Sequence, residues 1–420
     1  MLSQAMKEQM ITILREELVP AMGCTEPIAL AFAGAKAREL LGETPTEAVV
    51  WCSGNIIKNV RCVTIPNSGA MVGIEAAVTL GVVGGDACAG MEVLAGVRAS
   101  QQEEVKRLLA EKFCRVELLE SEIPLHIKLF LKGKEHEVEL EIRNAHTNIV
   151  LIKKDGSVLL ENESACQEED GRTFLNLERI KEFADTVPIE EVQDIITPQI
   201  DCNMQIAEEG LKGDYGLGIG RILQESYPDS IGTKMKAWTA AASEARMGGC
   251  DLPVIINSGS GNQGIASSVP VIVYAREKGM SSERMYRGLV FSALLTVWQK
   301  SFIGRLSAFC GAVSAACASG AALTYLDGEP LDVIRMTIYN TLADTPGIIC
   351  DGAKVSCAAK IASSLDAAFM AHNLAVRGKS YQPNTGILKE NVQDTVKNVG
   401  QIGKEGMRQT DIEILRLMLQ

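Results

Sequence analysis

Clustered lysine and arginine are what this 420-residue chain most conspicuously lacks: 41 basic residues stand against 53 acidic ones, for a formal net charge of −12. Holding a phosphate backbone takes a basic patch, so nucleic acid is excluded as a partner. No stretch of about 18 uncharged apolar residues occurs, and the longest Ala- and Gly-rich runs are broken by polar groups, which excludes a membrane span. The opening MLSQAMKEQMITILREELVP mixes acids and bases in an amphipathic pattern instead of a basic and then apolar leader, so a cytoplasmic location is expected. The Gly-rich loop around residue 260 has no Walker lysine and no βαβ setting, which argues against a nucleotide site. Paired C-x2-4-C knuckles are missing, and with them a structural zinc site. The twelve cysteines are too sparse and irregular for a disulfide framework.

What remains is a chain with 46% hydrophobic and 22% charged residues, only 5% aromatics and 38 glycines, the composition of a globular protein whose helices pack closely. Its length exceeds a single core of about 250–300 residues, so two or three folding units are expected. Residues 4–18 have helical periodicity and stop at Pro20. In PAMGCTEPIALAFAGAKARELLG, a turn at Gly23-Cys24 leads into a helix ending at Gly42, with Thr25 as a cap, so Cys24 lies just before a helix start. The amides and dipole there stabilise a thiolate, making Cys24 a base or nucleophile; a small residue in a tight turn is the other reading. EAVVWCSGNIIKNVRCVTIP reads as one or two strands, and Asn67-Ser68-Gly69 as a turn able to nest a carboxylate or merely to cap a helix.

From Ser100 the composition changes. A charged amphipathic helix is followed by four alternating segments, CRVELLE, LHIKLFLKG, KEHEVELEIRN and HTNIVLIKKDG, with turns at Lys132-Gly133-Lys134 and Asp155-Gly156. They predict an α+β module with an antiparallel sheet. His126, His136 and His146 lie in them at ten-residue spacing, but no HxH pattern or nearby cysteine supports a metal role. An acidic loop at 161–172 precedes a mainly helical remainder. The expected α+β architecture divides into 1–95, carrying Cys24; an inserted module, 96–172; and a helical domain, 173–420. Within the last, Ser258-Gly259-Ser260-Gly261-Asn262 breaks an apolar run into a polar loop before a helix, a place for the carboxylate or phosphate of a small ligand, or a plain turn.

The densest chemistry lies between Phe309 and Cys357. Cys310 and Cys317 in FCGAVSAACASG and Cys350 and Cys357 in IICDGAKVSCAAK are set among Gly, Ala and Ser, which let a bulky inorganic group approach. Cysteines from separated helix ends fit an iron–sulfur cluster with one open iron better than tetrahedral zinc. Lys300 and Arg305 add positive charge nearby or sit on a helix surface.

Taken together, MGCTEPIALA, IPNSG, INSGSGNQG, FCGAVSAACASG and GIICDGAKVSCAAK resemble the L-cysteine desulfidase family, relatives of the iron–sulfur-dependent L-serine dehydratase alpha chain. The resemblance implies a [4Fe-4S] cluster on Cys310, Cys350 and Cys357, Cys24 as the base, and Cys317 as a core residue. It implies β-elimination on a small L-amino acid, L-cysteine to pyruvate, ammonia and sulfide, with the carboxylate held by Asn67, Ser68, Gly69 and Ser258 to Asn262. Gly352 where serine dehydratases have proline after Cys-Asp, a shorter stretch between the last two cysteines, and an ending in RLMLQ instead of a cysteine tail favour cysteine over serine. The competing expectations are an L-serine dehydratase, a pyridoxal-phosphate lyase using Lys300 or Lys360, and a non-catalytic amino-acid-binding protein. The expected partners are a small amino acid and further copies of the chain.

Overall fold

The computed structural model describes residues 2–162, 172, 174–304 and 306–419. Most of the acidic loop, and Arg305, lie outside the described residues. In order, the elements are α1 (Gln4–Glu17), β1 (Pro20–Met22), α2 (Thr25–Leu41), β2 (Glu47–Cys52), α3 (Gly54–Val60), α4 (Ile74–Gly84), α5 (Ala99–Ala110), β3 (Cys114–Leu118), β4 (His126–Lys132), β5 (Glu137–Arg143), β6 (Ile149–Lys154) and β7 (Ser157–Glu161). There follow α6 (Leu177–Thr186), α7 (Gln193–Lys212), α8 (Ile219–Ser226), α9 (Ile231–Met247), β8 (Pro253–Ile255), α10 (Gly261–Glu277), α11 (Ser282–Ile303), α12 (Gly311–Leu326), α13 (Leu331–Asp344), α14 (Cys357–Ala375), α15 (Val392–Gln401) and α16 (Arg408–Leu419). The fold is α+β.

Alternation builds the sheet. Ile127, Leu129 and Leu131 of β4 lie beside Val138, Leu140 and Ile142 of β5, every second residue turned to one buried face, while Lys128 and Glu141 pair on the other. The strand order is β3-β2-β4-β5-β6-β7. The run from β2 through β7 is antiparallel, as expected, but β2 and β3 are parallel, so the sheet is mixed. Strand β2 precedes the composition change at Ser100 and yet sits between β3 and β4, because its apolar residues Ala48, Val50 and Cys52 complete the same buried face. The stretch after it, expected to continue as strand or loop, forms α3 instead.

Helices α2 and α4 cover that face. Helix α2 is apolar nearly all round, the pattern of a helix enclosed on every side. It crosses α4 at backbone distance: a methyl at Gly81 would lie 2.0 Å from the Ala31 carbonyl oxygen. A second, larger core gathers α1, α6, α7 and α9 to α13 around Phe183, Phe291, Trp298 and Tyr325. The two bodies are joined by the β1–β8 pair, Pro20 opposite Ile255, and by α16, whose Asp411 accepts from the buried Lys58 of α3 at 2.5 Å.

Candidate functional site

Four helices begin at one place. Cys24 immediately precedes α2, Cys310 precedes α12, Cys357 is the first residue of α14, and α10 starts at Gly261. Each helix start leaves amide N–H groups without intrahelical acceptors and carries the positive end of the dipole, so their convergence favours negative charge. Helices α9, α10, α12 and α14 pack on one another and close the site's walls.

Cys310 and Cys350 are brought side by side by a short antiparallel bridge between Phe309 and Ile349. The Cys310 amide donates to Ile348 O at 2.8 Å and the Cys350 amide to Ala308 O at 2.7 Å. Cys357 follows one turn later, its amide donating to Lys354 O at 2.9 Å. The loop between is braced by Asp351, which accepts from Lys354 and, at 2.5 Å, from Lys360. Burial works to raise the Asp351 carboxyl, but the two ammonium groups outweigh it and hold it down at about 2. Burial is also the main force pushing the Cys310 thiol up to about 12, reinforced by Cys350 and Cys357 and opposed by the Ala312 amide and Lys360. Burial raises Cys357 as well, with Cys350 adding to it. The raised Cys310 and Cys357 thiols call for a positive centre to take their protons' place. Cys317 is fully buried in the helical core.

Among the described residues, no three His, Cys, Asp or Glu side chains are grouped so as to hold a metal ion. The donor chemistry, three thiols without imidazole or carboxylate and with Ala266, Ala312 and Ala316 packed beside Cys310, suits an iron–sulfur cluster, a body larger than one ion.

Cys24 shares a buried cluster with Val63, Met247 and Cys357. Its Sγ donates to Glu26 Oε2 at 3.5 Å, and Glu26 is itself buried, accepting from Thr25 Oγ1 at 3.0 Å and from Asn59 Nδ2 at 3.1 Å. The sequence position predicts a lowered thiol pKa; the structure gives the opposite direction. Burial pushes the Cys24 thiol up and the Glu26 carboxylate adds to it, against a pull from Arg246. At 3% exposure the loss of water outweighs a helix dipole.

The Ser258 to Asn262 loop does reach the site. Ser258 holds φ at +49°, unusual for a residue with a side chain, and its Oγ donates to Asn257 Oδ1 at 2.8 Å. Gly259 follows at φ +76°, and Ser260 precedes α10 without a side-chain cap. Asn262 Oδ1 accepts from Ser243 Oγ at 3.0 Å. Asn67, Ser68 and Gly69 follow Pro66, whose ring packs against Gly23, and the Asn67 amide donates to Asp251 Oδ1 at 2.9 Å. Their polar groups are committed elsewhere: Asn67 Nδ2 ties the turn to the 94–95 segment by donating to Leu94 O and Ala95 O, and Ser68 Oγ serves the local turn, donating to Ile65 O and accepting from the Met71 amide. Gly69, at φ +68°, completes that turn.

The histidines do not gather. His126 is buried against Glu141 at 2.5 Å, His136 meets Asp155 at 2.8 Å across a turn, and His146 lies beyond the strand end. Glu141 and Ser121 occupy both ring nitrogens of His126. Lys360 is committed to Asp351 and to Ile349 O at 2.9 Å, unlike the neutral amine a Schiff base requires.

Sequence reading missed Glu26, Asn59, Arg246 and Gln263. Glu26 looks like a routine helix-opening acid. The traceable signal is Arg246, a cation that follows the Ala-rich run of α9 and is only 2% exposed.

A family model described as serine dehydratase alpha chain matches residues 88–416, which include the Gly-rich loop and the three cysteines but not Cys24. Along the whole chain it is similar to UPF0597 proteins: 48% identical to one from Lachnoclostridium phytofermentans, covering 99% of this chain and 100% of the relative. One from Treponema denticola is 45% identical over 100% of this chain and 99% of its own, and one from Finegoldia magna 45% over 97% and 98%. No described helix is long and apolar enough to cross a membrane.

Proposed function

The chain belongs to the serine dehydratase alpha chain family, and from that premise we propose that it is a lyase eliminating the β-substituent of a small L-amino acid, with L-cysteine as substrate. The observation that carries this is the meeting of Cys310, Cys350 and Cys357 at three chain segments, with Cys24 packed against Cys357. Cys310, Cys350 and Cys357 would hold a [4Fe-4S] cluster, which when bound supplies a Lewis-acidic iron for the β-sulfur.

The protein's own part is positional and acid–base. Cys24 acts as the base at the α-carbon, and Glu26, hydrogen-bonded to its Sγ, orients the thiol and sets how much thiolate forms. Loss of the α-proton with departure of hydrosulfide yields 2-aminoacrylate, which tautomerises to the imine and takes up water to give pyruvate and ammonium. The amides at the start of α10 and the Ser258 to Asn262 loop attract the substrate carboxylate. The walls of α9, α10, α12 and α14 keep bulk water from the carbanionic centre.

Gly352 supports cysteine over serine. At φ +95°, with its α-carbon pressed toward Lys58 O, this position cannot take the proline that serine dehydratases place after Cys-Asp. The deciding experiment is anaerobic assay of the iron-loaded protein with L-cysteine and L-serine, following sulfide and pyruvate. Faster turnover of cysteine is expected; faster turnover of serine would make it a serine dehydratase, and neither would end the lyase reading. Cys24→Ala should retain iron and lose at least about a hundredfold in turnover, as removal of a general base does, whereas Cys310→Ala should lose iron.

A further inference from the structure

We infer that Arg246 and Gln263 form a zwitterion-binding site, Arg246 taking the α-carboxylate of a free amino acid and Gln263 Oε1 its α-ammonium. The inference deepens the lyase reading and rests on it for the identity of the ligand.

A buried guanidinium needs an anion, since an unpaired interior charge is strongly unfavourable. Arg246 is 2% exposed and Gln263 4%. Arg246 Nε has no hydrogen-bond partner, and no described carboxylate is paired with its side chain. Glu244, two residues earlier, spends its oxygens on the Leu217 and Ile219 amides at 2.6 and 2.7 Å. Glu26 spends its own on Cys24, Thr25 and Asn59. The complementary vacancy lies one turn into α10: Gln263 Oε1 is a buried acceptor without a donor.

Both groups flank the same helix starts. A methyl at Gly261 would lie 2.2 Å from Arg246 Nε and 2.6 Å from Cζ, so the guanidinium lies across the first residue of α10. A methyl at Gly311 would lie 2.5 Å from Gln263 Cδ and Nε2, which puts that amide beside Cys310 at the start of α12. The Arg246 charge also acts on the Cys24 and Cys357 thiols. One buried donor lacking an acceptor and one buried acceptor lacking a donor, between the base and the cluster cysteines, match the two charged ends of an amino acid. Glycine at 261 and 311 is what leaves room for the two side chains.

The test uses L-alanine, which has both ends and no β-leaving group, with propionate and ethylamine as its halves. Binding is measured by calorimetry or ligand-observed NMR on the intact chain, with iron content assayed in parallel. Arg246→Gln should weaken L-alanine and propionate by roughly 10- to 100-fold, the range for losing a charged hydrogen bond. Gln263→Leu should weaken L-alanine and ethylamine and spare propionate. Should Arg246→Gln fail to fold, Arg246→Lys and Gly261→Ala, which crowds the guanidinium without removing it, should each weaken L-alanine with the circular dichroism unchanged. Undiminished L-alanine binding in the folded Arg246 variants, loss of iron with alanine affinity intact, or no L-alanine binding by the wild type would overturn the inference. Alanine binding together with no pyruvate formed from L-cysteine or L-serine would leave it standing and sink the lyase reading instead.

Discussion

Cys24 and Glu26 form a buried thiol–carboxylate pair two residues apart, with the carboxylate anchored from α3 by Asn59. The thiol is protonated in this setting because burial and a neighbouring negative charge both disfavour the thiolate. A base of this kind is strong once formed and scarce until it is formed, so Glu26 tunes how much of it exists. Glu26→Gln removes the charge and keeps the shape. Its expected effect is a lower thiol pKa, so that alkylation of Cys24 by iodoacetamide, followed by peptide mass spectrometry, becomes several-fold faster at mildly alkaline pH. An unchanged pH profile would mean that the two groups are not coupled. That Cys24 precedes a helix was legible in the turn at Gly23 and the acid and proline behind it. The direction of its pKa was not, because depth below the surface is set by which segments close over the turn.

At the level of elements, the site depends on helices that begin together, which in turn depends on how closely their shafts approach. Helix α2 is aimed by its crossing with α4, where Gly81 lets the two backbones meet. Gly81→Ala adds a methyl that meets backbone rather than a movable side chain, so the helices must part. A loss of about 2 kcal/mol is expected, in the range for overpacking a well-filled core, measurable by urea denaturation. Because α2 carries Cys24, the same substitution should lower turnover more than iron content. The strands β3 to β6 and most helices were legible in period-two and 3.6-residue patterns. Helix α3 was hidden in a Val- and Ile-rich stretch that reads as strand, and its identity was decided by packing between the sheet and α16.

Across the whole molecule, His372 joins α10, α12 and α14. Its Nδ1 lies 2.9 Å from Thr324 Oγ1, its Nε2 3.3 Å from Tyr274 Oη and 3.7 Å from Asp327. Burial lowers its pKa to about 4, against the partial support of Asp327. The unfolded chain therefore binds the proton in the window between the ordinary histidine value and about 4, and stability falls as pH drops through that window. The neutral form's contribution is complete above about 6.5 and gone below about 4, a loss on the order of 3 kcal/mol. Urea denaturation at pH 7 and pH 5 should show a smaller drop for His372→Gln than for wild type; equal drops would refute the assignment.

The sequence alone determined the α+β class, the alternation of the sheet, the helix start at Cys24, the Gly-rich loop and the three cysteines, because each is written in neighbouring residues and their periodicity. Only the tertiary structure decided that β2 joins the sheet beyond Ser100, that Asn67 is spent on the 94–95 segment and Ser68 on its own turn, and that Cys24 is a buried thiol with a raised pKa. It also brought Arg246 and Gln263 to the helix starts, since burial, close approach and unsatisfied charge belong to segments far apart in the chain and exist only once those segments have packed.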